Sequence, residues 1–486
     1  MRLETLVERS EAMNEELGRE YYLTAAGLKS PPRLQAIYER YRDLVSEEAV
    51  ERARESGSAA LLEWVVNLRV GRAVAEIEER QLIWEQGAEL SLDGRSIPYL
   101  RAPIELANSP DRALRRKIDE ARVSLGARHL NSLRRERFTL EHETVSAVLG
   151  GEYVQALSEL AGIGLTELGQ QAAEMLRRTD DLYEQGLAVL AREKLGLGID
   201  ELERSDAAWL FRAERYDDHF PAARLVATAA AQMGDMGLDA SRNGRVRVDA
   251  AEREGKQPRA FCVPVRVPEE VYLVIRPRGG HIDYRTFWHE LGHAMHFAVV
   301  SPTLPFEARW LGDNSVTEGF AMLWDHLTLR RDWLVRYAGL NPKDARRFVF
   351  ELGVNELYLL RRYAAKLLYE LDFHGSGFEG MERVYALRLT DATRFRYPEE
   401  DYLNDVDPSF YAARYLRAWQ LEAVFSTLLA ERFGPEWYRR REAGALVNQW
   451  MRRGQARPAD VLAEEVGGMQ LGFERVVSRL VADFEL

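Results

Sequence analysis

The chain has 486 residues, 46% hydrophobic and 30% charged, with 35 Gly and 17 Pro. That composition excludes collagen-like, low-complexity and wholly disordered chains, and the length suffices for about three domains or one large helical body. Against 66 Lys and Arg stand 78 Asp and Glu, a net charge of −12, which argues against general binding to nucleic acid or to an anionic membrane.

In chain order, the first twenty residues are charged throughout and hold no apolar signal-peptide core. No stretch approaches the roughly 18 uninterrupted apolar residues of a membrane span, so a cytoplasmic protein is expected. Apolar residues three and four apart predict helices over 33–54, 58–86, 110–148 and 167–196. Breaks fall at Ser30-Pro31-Pro32, Leu92-Asp93-Gly94, 107–111 and 196–200. Ser109 or Asp111 is expected to cap the third helix.

Strand signals are scarce. Weak ones surround Asp93-Gly94 and cover 244–249; a clear one covers 259–276, where two β-rich runs flank Pro268-Glu269-Glu270 and predict a hairpin or a pair of short strands. From about 284 the helical period returns and holds, with interruptions, to the end. The expected class is mainly α: a helical portion over 1–200 and a second portion over 201–486, two lobes of one body, with one small β-sheet. One cysteine, Cys262, excludes intrachain disulfides and sites built from several thiolates; in its β-run it reads as a small buried apolar residue.

Five of the nine histidines stand at 281, 289, 293, 296 and 326. His289-Glu290-Leu291-Gly292-His293 is an HExxH motif within a stretch that reads as one helix, with Phe287, Leu291, Ala294 and Ala298 on its apolar face. Residues four apart on a helix point the same way, so both imidazoles can hold one ion. Glu290 is then placed to take a proton from water at that ion. Asp283 reads as a cap for this helix. A catalytic zinc site wants a third protein ligand, and Asp313, Glu318, Asp325 and His326 are the candidates. Residues 313–330 read as a helix capped by Asn314 or Ser315, with Glu318 in its first turn.

This window resembles the thimet oligopeptidase/oligoendopeptidase F family of zinc metallopeptidases. That family's helix reads roughly D-x-x-T-x-x-H-E-x-G-H-x-x-H, matched here by Asp283, Thr286, His289, Glu290, Gly292, His293 and His296. The strands before it match in style. A later P-F-Y-x-x-[KR]-Y pattern corresponds to Pro408, Phe410, Tyr411, Arg414 and Tyr415. The resemblance covers about 257–326 and 402–420. Two departures stand out: the family's Pro-Ser-Gln after the glutamate ligand is Gly319-Phe320-Ala321, and its substrate-contacting His before the Tyr-rich helix is missing.

The resemblance implies one Zn2+ per chain held by His289, His293 and Glu318 at the floor of a deep cleft, with 201–486 as the catalytic portion. It implies Glu290 as the proton-transferring carboxylate, Tyr415 as the donor to the oxyanion, and Tyr411 and His296 as substrate contacts. Asp325 falls on another family carboxylate and is expected to accept from a ligand imidazole. Arg414 could pair with an acidic residue or a peptide carboxylate, but is expected to be a solvated arginine. By analogy the strand at 271–276 offers an edge for an extended substrate. The implied activity is hydrolysis of peptide bonds in short or unfolded peptides. A metallocarboxypeptidase or dipeptidyl carboxypeptidase on the same scaffold, and a non-catalytic peptide-binding protein with a structural metal, are the alternatives.

Overall fold

A computed structural model describes residues 1–30, 32–92 and 94–484. The described residues are mainly helical, as the periodicity predicts, with two small sheets. β1 (Glu89–Leu92) pairs antiparallel with β2 (Arg95–Pro98). β3 (Val246–Asp249), β4 (Phe261–Arg266) and β5 (Glu270–Val274) form the second sheet. The break at 30–32 and the turn at 92–94 include Pro31 and Asp93, which lie outside the described residues. No described helix is long and apolar enough to cross a membrane.

Two of the predicted helices are cut by polar residues. Within 33–54, the chain breaks at Ser46, whose hydroxyl accepts from Ala49 N and caps the helix Glu47–Glu55. Within 167–196, Thr179 separates Leu165–Arg178 from Asp180–Leu195. The helix Arg112–Leu149 is capped by Asp111, which accepts from the Ala113 and Leu114 amides.

The chain divides into two compact units, each assembled from separated segments. The first comprises Met1–Val65, Ala213–Val349 and Arg414–Ser478; the second comprises Val66–Arg212, Phe350–Ala413 and the residues from Arg479 onward. The second unit contains the β1–β2 hairpin. The first contains the three-stranded sheet and the HExxH helix.

In the first unit the strand order is β3-β5-β4, with β3 parallel and β4 antiparallel to β5. The hairpin expected around residue 268 is β4–β5. The edge assigned to 271–276 is corrected: β5 is the middle strand, because β3, a weak sequence signal, pairs along its other side. Phe261, Val263, Val265 and Val274 share one face and pack against Ala25 and Ala26 at the end of the N-terminal helix Leu3–Ala25. Strand alternation turns Cys262 and Leu273 the other way, and the helix His281–Phe297 packs on β4 and β5.

Candidate metal centre

The helix His281–Phe297 carries the motif. Its start is secured by Asp283, whose Oδ2 accepts from the Arg278 and Gly279 amides at 2.5 and 2.8 Å. Phe287, Trp288 and Leu291 anchor one side, each buried; a buried Phe or Leu contributes about 1.5–3 kcal/mol. Trp288 Nε1 also donates to Gln232 Oε1 at 2.9 Å. The opposite side presents His289, Glu290 and His293, all half-buried.

The helix Asn314–Asp325 supplies the partner residues. Its cap is Asp313, which accepts from Ser315 N at 2.9 Å; this corrects the expectation of Asn314 or Ser315. Asp313 lies between Arg414 at 3.5 Å and Arg417 at 3.4 Å. Arg414 also pairs with Glu63 and is 4% exposed. It is therefore a buried tie to the helix Tyr411–Phe433, not the solvated side chain expected.

Two glycines let these helices close. A Cβ on Gly292 would stand 2.5 Å from Ala321 Cα and 2.6 Å from Trp324 Cδ1. A Cβ on Gly319 would stand 2.9 Å from Leu421 Cδ2. Gly319-Phe320-Ala321, the departure from the family pattern, thus packs tightly: Gly319 admits Leu421, Phe320 stacks on Phe425 with centroids 4.9 Å apart, and Ala321 faces Gly292.

That approach brings His289, His293 and Glu318 together, with one donor atom from each within 4.8 Å of the others. Glu318 Oε2 lies 3.2 Å from His289 Nε2 and 3.6 Å from His293 Nε2. Donors around a tetrahedral ion with bonds of about 2.0–2.2 Å stand roughly 3.3–3.6 Å apart, so this spacing fits a bound zinc. The chemistry of the set, two imidazoles and a carboxylate, fits as well.

Both imidazoles are oriented from behind. His289 Nδ1–H donates to Asp325 Oδ2 at 2.9 Å, and His293 Nδ1–H donates to Thr317 Oγ1 at 2.9 Å. Each bond fixes the tautomer that leaves Nε2 as the lone-pair donor. Behind Asp325, His326 lies 3.5 Å from its Oδ1 and 3.0 Å from Glu422 Oε2. Burial alone lowers the His289 imidazolium pKa, but hydrogen bonds to Asp325 and Glu318 outweigh it and hold it well above the usual range. Burial raises the Glu318 carboxyl, but the His293 charge and hydrogen bonds from both imidazoles bring it below the ordinary carboxylate value.

Glu290 points to the sheet. Its Oε2 accepts from Cys262 N at 2.8 Å, and burial pushes its carboxyl up. Burial and then the Glu290 charge likewise raise the Cys262 thiol.

Tyr415 is half-buried on the helix Tyr411–Phe433, seven residues before Glu422 and on the same side. Tyr411 belongs to the second unit and is also half-buried. His296, expected to touch substrate, has no exposed surface; its ring packs on Phe320, 4.8 Å between centroids, and beside Phe297. Burial lowers its pKa to about 3. Sequence reasoning missed Thr317 and the Cys262 amide. Thr317 had only its place beside Glu318 as a signal, and the amide had none.

No protein-family model matches the sequence, and no curated protein matches it. Among solved structures, the chain is similar to PZ peptidase A with inhibitor 2, with a TM-score of 0.60 and 14% identity, covering 99% of this chain and 85% of that one. The likeness is one of fold.

Proposed function

We propose that this chain is a zinc-dependent oligopeptidase of the thimet oligopeptidase/oligoendopeptidase F kind, hydrolysing peptide bonds in short or unfolded peptides. The observation that carries the reading is the convergence of His289, His293 and Glu318 beside a carboxylate, Glu290, that is not one of the three. A purely structural site would have no use for that fourth group. The likeness in fold to a peptidase supports the substrate class.

His289, His293 and Glu318 would hold the ion, which when bound supplies Lewis acidity toward a peptide carbonyl and acidifies water. Cys262 N–H pins Glu290 Oε2, leaving Oε1 to take a proton from water and hand it to the leaving amine. The raised pKa of Glu290 favours holding that proton between the two transfers. Tyr415 O–H is assigned as the neutral donor to the oxyanion.

The test is Glu290→Gln. Metal content should stay at the wild-type level while cleavage of a quenched fluorescent peptide falls by about 10²–10⁴. Undiminished cleavage removes Glu290 from its role. Blocking the peptide's C-terminus should not stop the wild type; if it does, the enzyme is a carboxypeptidase.

A further inference from the structure

A candidate third ligand from the sequence, His326 stands outside the donor set of His289, His293 and Glu318. Glu422 carries no sequence signal at all. The fold buries both, His326 at 6% exposed and Glu422 at 1%. Packing between two helices brings them together. On the helix Tyr411–Phe433, Leu421 fills the space left by Gly319, and Phe425 stacks on Phe320. Glu422 lies between those two contacts along the chain, so its carboxylate is delivered to the helix Asn314–Asp325 and the turn that follows it. There Glu422 Oε2 lies 3.0 Å from His326 Nδ1, and His326 Nε2 lies 3.5 Å from Asp325 Oδ1. Asp325 Oδ2 in turn accepts from His289 Nδ1–H. Glu422, His326, Asp325 and His289 thus form a chain of neighbours that ends on a residue of the donor set.

That chain carries charge as well as position. Asp325 is 5% exposed, and its Oδ1 accepts no hydrogen bond among the described residues. A buried carboxylate is costly without compensation, so cationic groups beside Oδ1 matter. Two stand close: His326 Nε2 at 3.5 Å and Arg285 Nε at 4.0 Å. His326 is the nearer, and a second buried carboxylate backs it. An imidazole meets a carboxylate with an N–H at each nitrogen only as the imidazolium, the form that two flanking anions favour. The last torsion of an Asp side chain is soft. A cation fixed beside Oδ1 therefore also sets where Oδ2 points, and with it the His289 ring.

We propose that His326 is a positioning residue of the metal centre: backed by Glu422, it fixes the Asp325 carboxylate against His289. This rests on the reading of His289, His293 and Glu318 as metal ligands. The helix that carries Tyr415 is then coupled to a ligand as well as packed beside it.

Zinc affinity, measured by competition with a chelator in two backgrounds, tests it. In the wild type, His326→Gln should weaken zinc by about three- to tenfold, less than the loss of Asp325 itself. Glu422→Gln should do the same from the far end. In Asp325→Asn neither change should weaken zinc further, because the path through Asp325 is already cut. The visible spectrum of the cobalt-loaded protein should follow the same pattern, shifting in each single variant but not between Asp325→Asn and its double variants. Urea midpoints control for folding, and Glu422→Gln, which keeps the side chain's shape, reads the same chain if His326→Gln does not fold. Wild-type zinc affinity in both single variants overturns the proposal. Equal losses in the two backgrounds also overturn it and make His326 a packing residue. A wild type that binds no zinc removes the metal reading and the proposal together. The expected pattern of affinities in a protein that cleaves no peptide keeps the proposal and removes the hydrolase reading.

Discussion

In the second unit, Arg362 donates to both oxygens of Asp405 at 2.6 Å, while Lys366 donates to Asp407 at 2.7 Å and lies 3.3 Å from Asp405. In the first, Glu290, Glu318 and Asp325 gather around two imidazoles whose donor atoms point at a common centre. Both groups are carboxylates wholly or partly buried, and burial without compensation is costly. The second unit answers with resident cations, and its carboxylates are spoken for. The first leaves a convergent donor set that could hold an external cation. Buried acid alone therefore does not identify a site; what identifies it is the arrangement of the partners.

If that distinction holds, breaking each cluster has different consequences. The largest effect on stability should come from Asp405→Ala, which strips Arg362 of its bidentate partner. Removing one member of a buried pair costs about 3–5 kcal/mol, read as a lower urea midpoint, with metal content per folded chain unchanged. The pH dependence follows the same pair. Burial alone raises the Asp405 carboxyl, but Arg362 and Lys366 outweigh it and hold it at about 2 against an ordinary 3.8. A depressed folded-state pKa stabilises above the unfolded value. The contribution should be full above about pH 4 and fall away toward pH 2, so the mutant's deficit in urea melts should shrink over that window.

In the first unit, Tyr415→Phe should lower turnover by about 10²–10³ with stability and metal content little changed. A drop in stability with turnover intact would make Tyr415 a packing residue. A smaller effect is expected from Asp325→Asn, which weakens the grip on His289 Nδ1. Metal affinity should fall by about 10–100-fold, measured by competition with a chelator. Unchanged affinity would reduce Asp325 to a helix-end carboxylate.

How much of this was legible depends on whether the determinant is local. His289 and His293 share a helix face by period alone, and the residues around them carry the resemblance from which Glu318 and Asp325 are expected. The contacts that finish the site are tertiary. Nothing in the sequence says that the Cys262 amide, 28 residues before Glu290, donates to it, or that Thr317 Oγ1 accepts a hydrogen bond from His293 Nδ1–H. Arg414 reads as solvated because its partners, Glu63 and Asp313, are distant in the chain. The edge at 271–276 comes by analogy, and β3, only four residues long, is a weak signal until it is paired. His296 follows the family motif in sequence, yet its ring is buried against Phe320 and Phe297.

The central claim is that His289, His293 and Glu318 grip one divalent ion. Zinc titrated calorimetrically into chelator-stripped protein tests it most directly, with Glu318→Gln alongside. The account predicts one tight site per chain in the wild type and its loss or severe weakening in the variant. Zinc binding without a fixed stoichiometry, or equal affinity in the two proteins, would contradict it.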